Sequence, residues 1–227
     1  MVRLLQQAFV FGLSWTLLAA PSLRQTASPS RSIPTALLLD QDNNGLDLTT
    51  PEEGVRFDLD GDGVREEIGW TRSSKDGFLV LDVNKNGTID NGTEIVGTGF
   101  KHPLLAKSMN GLDALFFIQG AVLGPDGQPV IQGRPQLDGD DLVFREFRVW
   151  FDGNHNGRSE PDELSTLRAA SITEFSPGYR MAPASGNYSP GVIVGSPGAN
   201  TVKYYGRYSV GIDNLRRTAF EVLLQRK

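Results

Sequence analysis

The chain has 227 residues, with 22 Lys plus Arg against 27 Asp plus Glu, a formal net charge of −5 and no cysteine. That length can bury a substantial core. The missing cysteines exclude disulfides, thiolate metal sites and a cysteine nucleophile, and the acidity, gathered in glycine-bearing loops, argues against nucleic acid as a partner.

Residues 1–20 carry Arg3 near the start, an apolar run from Ala8 to Ala20, and small residues at Ala19, Ala20 and Ser22, the layout of a secretory signal. Cleavage after Ser22 satisfies the small-residue rule, so the mature chain is expected to be secreted or periplasmic, with no stable membrane association. An uncleaved anchor is the competing reading, because no charge falls between Arg3 and Arg24. Residues 23–32, rich in Ser, Pro and Thr, read as a flexible linker, and residues 33–227 as one domain.

Four times in that domain an apolar residue precedes an Asp that opens a glycine-bearing loop: Leu39-Asp40, Phe57-Asp58, Leu81-Asp82 and Phe151-Asp152. Their irregular spacing excludes a fixed-period solenoid. In the first loop Asp40, Asp42 and Asn44 alternate before Gly45, but Pro51 stands where a closing acid is expected. Asp47, Glu52 or Glu53 is left to complete it, and an Asx-rich turn is the plain alternative. In the second, Asp58, Asp60 and Asp62 alternate before Gly63, the opening of D-x-[DN]-x-[DN]-G. Val64 offers a carbonyl, and Glu66, Glu67 or a carboxylate from elsewhere, such as Asp76, must supply the last oxygens.

The third loop places Asp82, Asn84 and Asn86 before Gly87, followed by the Thr88 carbonyl, Asp90 and a closing Glu94. Glu94 falls at the thirteenth place, so the loop must bulge around Asn91-Gly92, and Glu94 is expected to serve less well than an acid at the twelfth. The fourth has Asp152, Asn154 and Asn156, Gly157, the Arg158 carbonyl, Glu160 at the ninth place and Glu163 at the twelfth, the full EF-hand loop pattern. Ser159 replaces the usual apolar residue at its eighth place, and His155 is expected in solvent. Alternating Asp and Asn around a sharp glycine turn aim oxygens at one point, and a hard cation taking six to eight oxygens fits them. Ca2+ is the expected ligand, since converging carboxylates repel one another without a cation.

Between the loops, residues 77–82 read as a strand or a single helical turn. Asn110 caps a helix carrying Leu112, Leu115 and Phe116. Residues 120–137 look like an inserted surface loop. Asp138 or Asp140 caps a second helix through Leu142, Phe144, Phe147 and Trp150, and Leu164 and Leu167 begin a third. Residues 172–175 and 202–210 read as strands, the latter paired with 192–194. Leu215, Ala219, Val222 and Leu223 suggest a closing helix capped by Asp213, a final strand being the alternative. The expected fold class is α+β: one domain built on several EF-hand-like calcium loops, with short helices and a C-terminal β-hairpin or small sheet.

From Asp40 to about Glu174 the order of landmarks resembles a calcium-binding module of bacterial secreted proteins related to RTX toxins. The resemblance rests on Asp58-Leu-Asp-Gly-Asp-Gly63, Gly69-Trp70, Asp76-Gly77, Asp82 to Gly87, Ile89 to Glu94, Asn110-Gly-Leu-Asp113, Phe147 to Trp150 and Asp152 to Leu167. In some members calcium triggers cleavage of an Asp-Pro bond at the module's N-terminal edge. This chain departs there: it has no Asp-Pro dipeptide, and Pro34 follows Ile33. The family's further Asp-rich loop after Phe117 is also replaced, by Gln119 and the insertion.

A secreted calcium-binding protein whose ions stabilise the fold is therefore expected. A calcium-dependent adhesion or interaction module, or a degenerate self-processing module, is the alternative. No enzyme is expected: only His102 and His155 are present, no G-x-S-x-G occurs, and Gly97-Thr-Gly99 lacks the context of a phosphate cradle. Sequence identifies no protein partner.

Overall fold

The computed structural model describes residues 33–103, 110–118, 121–123, 129–131, 137–141, 143–181, 200–213 and 215–227. The expected signal and linker lie outside them, as does the 192–194 strand. Ile33–Lys227 is a compact unit by itself.

The organising strand is β1 (Thr35–Asp40), whose sequence TALLLD is buried at every position. Such a run has no polar face because apolar packing covers both sides of the sheet at this point. Successive side chains point to opposite faces. Leu37 and Leu39 accordingly enter one cluster, with Leu79, Val149, Tyr208 and Ala219, while Ala36 and Leu38 enter another, with Phe78, Trp150, Phe220 and Val222.

Antiparallel neighbours flank β1: β4 (Asp76–Val80) on one side and β12 (Leu215–Leu223) on the other. Beyond β4 lie β8 (Arg148–Trp150) and β9 (Leu164–Thr166). Beyond β12 lie β11 (Thr201–Val210), β10 (Ile172–Met181) and β7 (Leu137–Asp138). The eight strands make one sheet, ordered β7-β10-β11-β12-β1-β4-β8-β9 and curled into a half-barrel. Two separate hairpins pair β2 (Val55–Phe57) with β3 (Glu66–Ile68) and β5 (Ala121–Leu123) with β6 (Pro129–Ile131).

The α-helix among the described residues is α1 (Gly111–Ile118), packed on the first cluster through Leu112, Ala114, Leu115 and Ile118. Asn110 caps it as expected, its side-chain oxygen accepting the Asp113 amide at 2.8 Å. A second acid joins that end. Glu221, fully buried on β12, accepts from the Leu112 amide at 3.4 Å and from the Thr35 hydroxyl at 2.5 Å, and burial raises its pKa.

The α+β expectation is overturned, since the domain is mostly β. The helix expected through Leu142, Phe144, Phe147 and Trp150 is a short 3-10 turn, Val143–Arg145, followed by β8. Leu164 begins β9 rather than a helix, and residues 215–223 take the strand alternative as β12. The small C-terminal sheet is instead part of the eight-stranded one. For β8 the cause is burial on both faces. A strand buried on both faces shows apolar residues at three- and four-residue spacings as readily as at two, so Val149 and Trp150 serve opposite clusters while imitating a helical stripe. Residues 172–175 and 202–210 are strands as expected, and the expected insertion at 120–137 contains the β5–β6 hairpin.

Candidate metal centres

The second and fourth acidic loops join paired strands, not helices. Residues 58–65 connect β2 to β3, where Phe57 pairs with Glu66, and residues 152–163 connect β8 to β9, where Trp150 pairs with Leu164. Residues 82–94 are closed by a bridge between Val80 and Ile95. Each of these three loops is thus a turn whose two ends backbone pairing holds together.

One local device shapes all four. The carboxylate of the opening Asp folds back over the turn and accepts the amides of the fifth and sixth residues. Asp40 receives Asn44 and Gly45 at 3.2 and 3.0 Å, and Asp58 receives Asp62 and Gly63 at 3.1 and 2.8 Å. Asp82 receives Asn86 and Gly87 at 3.1 and 2.7 Å, and Asp152 receives Asn156 and Gly157 at 3.1 and 2.9 Å. The sixth residue has positive φ in every case, 94°, 90°, 87° and 66° in chain order, which is why glycine stands there.

The closing acids do equivalent work in the third and fourth loops. Glu94 accepts Val83 and Asn84 amides on one oxygen, at 3.1 and 3.4 Å, and Asp90 on the other at 2.9 Å. Glu163 accepts Gly153 and Asn154 at 2.9 and 3.4 Å and Glu160 at 3.4 Å. Position for position the pattern is the same. The additional residue of the third loop is taken up in the 3-10 turn Gly92–Glu94, capped by Asn91, where the sequence required a bulge. Gly92 is needed there because any side chain would collide with the Leu59 carbonyl of the second loop. The reason for ranking Glu94 below Glu163 is thereby removed.

The ninth residue crosses each of these two loops. Asp90 accepts from the side-chain amides of Asn84 and Asn86 at 2.8 and 2.7 Å, and these hydrogen bonds hold its pKa below the usual carboxylate range. Glu160 accepts from Asn156 at 2.8 Å and Asn154 at 3.5 Å and is lowered likewise. Burial pushes Glu94 and Glu163 the other way. At the seventh place the Val64, Thr88 and Arg158 amides donate to Asp62, Asn86 and Asn156 at 2.8, 2.9 and 2.7 Å, which sets all three residues at the loop rim.

Second, third and fourth loops pack together. The Ile89 amide donates to the Ser159 hydroxyl at 2.6 Å, so the serine side chain links the eighth places of the third and fourth loops. Arg65 donates to the Gly157 carbonyl at 2.5 Å, and the Gly92 amide donates to the Asp58 carbonyl at 2.8 Å. His155 is exposed, with its ring Nε2 3.0 Å from the Arg72 carbonyl.

Among the described residues, three-carboxylate clusters form in two places. Ligand atoms of Asp58, Asp60 and Asp62 lie within 4.8 Å of one another, and so do those of Asp40, Asp42 and Asp76. Asp76 therefore completes the first loop, not the second. Register places it there: Asp40 ends β1 directly opposite Asp76 at the start of β4. Asp47 and Glu53 turn outward to Arg72, at 3.4 and 2.6 Å. In the second loop it is Glu66 that faces the cluster, its pKa raised by burial and by Asp60, while Glu67 pairs with Lys227 at 3.5 Å.

Both clusters hold a buried carboxylate oxygen that no donor satisfies, Oδ1 of Asp76 and Oδ1 of Asp60. Asp76 is 1 % exposed, and burial with the nearby Asp40 and Asp42 charges pushes its pKa up to about 7 despite the amide of Asp47 at 3.0 Å. An unpaired buried carboxylate is costly, and an oxygen-ligated cation would remove that cost. These residues fit a hard divalent ion.

Sequence reasoning missed the tryptophans beneath the loops. Trp70 Nε1 donates to Asp152 Oδ2 at 2.8 Å and Trp150 Nε1 to Glu163 Oε2 at 3.3 Å, and the two rings meet edge to face at 5.3 Å. No local spacing signals those contacts.

Residues 37–191 match the SPM domain family. The chain is similar to the iron-regulated protein FrpA of Neisseria meningitidis serogroup C, 34 % identical over 146 residues, which is 63 % of this chain and 12 % of that protein. It spans only a small part of that relative's length. With its match running from β1 through all four acidic loops into β10 and beyond, this chain belongs to the SPM domain family.

Proposed function

We propose that the domain is a calcium-binding module of an extracytoplasmic, RTX-related protein, in which bound Ca2+ neutralises the loop carboxylates and fixes the half-barrel they join. The observation that carries this reading is the pair of buried, unsatisfied oxygens on Asp76 and Asp60, each inside a three-carboxylate cluster. All side-chain donors are oxygens, which suits calcium. Extracellular calcium, about 1 mM, fills sites of modest affinity and stabilises the folded state by mass action.

Calorimetric titration of the metal-free chain is the test. Calcium should bind with a rise in melting temperature that magnesium does not match, since its stricter octahedron suits these loops poorly. A melting temperature unchanged by calcium in protein verified free of metal would refute the proposal.

The same reading makes the domain inert toward itself. The chain contains no Asp-Pro dipeptide, the bond that the resembled self-processing modules cleave, so no self-cleavage is part of the proposed function.

A further inference from the structure

Across the third and fourth loops, asparagines at the third and fifth places donate to the acid at the ninth. The second loop has Asp60 and Asp62 at those places and Glu66 at the ninth, so the side chains at the third and fifth places have no N–H to make the crossing, and Arg65 is turned to the Gly157 carbonyl. The missing donor comes from 160 residues away in sequence. Arg226 Nη1 lies 3.3 Å from Asp60 Oδ2 and 3.1 Å from Glu66 Oε1, bridging the third place to the ninth.

Its delivery is built into the backbone. Arg226 bridges Ile68 of β3. The Gly69 amide donates to the Gln225 carbonyl at 2.8 Å and the Lys227 amide to the Glu67 carbonyl at 3.0 Å. The Gln225 amide donates to Asn200 Oδ1 at 2.8 Å, and Leu224 just before it is fully buried. The side chains of Asp60 and Arg226 are 8 % and 28 % exposed, so solvent screens the pair incompletely.

We propose that Arg226 is a resident counter-cation of the second loop: it holds Asp60 and Glu66 in their ligating arrangement before calcium arrives, and its charge lowers the affinity of that one site. Arg226 takes Asp60 Oδ2, while the buried Oδ1 has no hydrogen-bond partner, so one carboxylate offers an oxygen to the arginine and another to a metal. Electrostatics makes them antagonists. The guanidinium faces the four carboxylates of Asp58, Asp60, Asp62 and Glu66, and a divalent ion among them removes half of that charge and repels the guanidinium. By reciprocity, whatever calcium subtracts from Arg226 docking, Arg226 subtracts from calcium affinity.

This inference rests on calcium occupying the second loop, and a site-resolved titration separates the two. The backbone amide of Gly63, which donates to Asp58, reports the second loop by NMR, while those of Gly87 and Gly157 report the third and fourth. In R226Q the Gly63 midpoint should fall to roughly a fifth or less of the wild-type calcium concentration, with the Gly87 and Gly157 midpoints unmoved. R226K, which keeps the charge without the fork, should stay near wild type and serves if R226Q does not fold. A Gly63 midpoint unchanged or raised in R226Q, with calcium still binding, overturns the inference alone. A Gly63 amide indifferent to calcium in every variant overturns it together with calcium binding at this loop.

Discussion

Asp40 and Asp76 stand directly across from one another on adjacent central strands, β1 and β4, two acids in one cross-strand pair. Like charges directly opposite destabilise a sheet. Here the pair is also buried, 3 % and 1 % exposed, so the repulsion is poorly screened.

Substituting Asp76→Asn should therefore act in opposite senses with and without metal. At pH 8 in chelator, the variant should be more stable than wild type by about 1–2 kcal/mol, because a buried uncompensated charge is gone. In calcium it should be less stable than wild type, having lost a ligand. Paired denaturation curves decide this; a variant at least as stable as wild type in calcium would remove Asp76 from the ion site, and one less stable in chelator would contradict the buried-charge argument.

The pH dependence of the metal-free protein follows from the same group. The folded pKa of Asp76 is about 7 against 3.8 for the free side chain, so the folded state binds more protons between about pH 4 and pH 7. Stability in that window then falls as pH rises, by up to ~1.4 kcal/mol per pH unit for one such group. Asp40 and Glu94, raised by burial, act in the same sense. Asp90 and Glu160 oppose it only below their ordinary values. Melting in chelator should occur at a higher temperature at pH 5 than at pH 7.5, and the gain conferred by calcium should shrink at pH 5. Metal-free melting that rises steadily across this range would contradict the assignment.

Glu94→Gln and Glu163→Gln should weaken calcium binding at their own loops by comparable factors, because each glutamate accepts the same three backbone amides. Titration followed at the Gly87 and Gly157 amides compares them directly. A much smaller loss in Glu94→Gln would reinstate the penalty for its thirteenth place.

Trp70→Phe should destabilise the domain by about 1–3 kcal/mol, since it removes a buried hydrogen bond to a carboxylate and leaves Asp152 Oδ2 with the Gly157 amide alone. The same variant should raise the calcium midpoint of the fourth loop. Urea unfolding and the Gly157 amide measure the two effects, and a variant as stable as wild type would show that the indole only fills space.

Mass spectrometry of the purified chain after incubation with calcium should show one intact species with no break before Pro34. A calcium-dependent fragment starting at Pro34 would mean that the bond can be cut without the Asp carboxylate.

The residue sequence by itself determined the loops. Their opening Asp, the glycine six places in, the acids at the ninth place and Glu94 or Glu163 at the close act through hydrogen bonds that span about a dozen residues, so spacing alone specifies them. The Asn110 cap was legible for the same reason. Tertiary structure decided what joins the loops and what completes them. Strands buried on both faces lose the alternation that marks a strand, so β8 and the inner part of β12 show a helical spacing until β1 and its neighbours form a sheet with apolar packing on each side. Asp76 reaches Asp40, Arg226 reaches Asp60 and Trp70 reaches Asp152 across 36, 166 and 82 residues through strand register and core packing, interactions that no local spacing encodes.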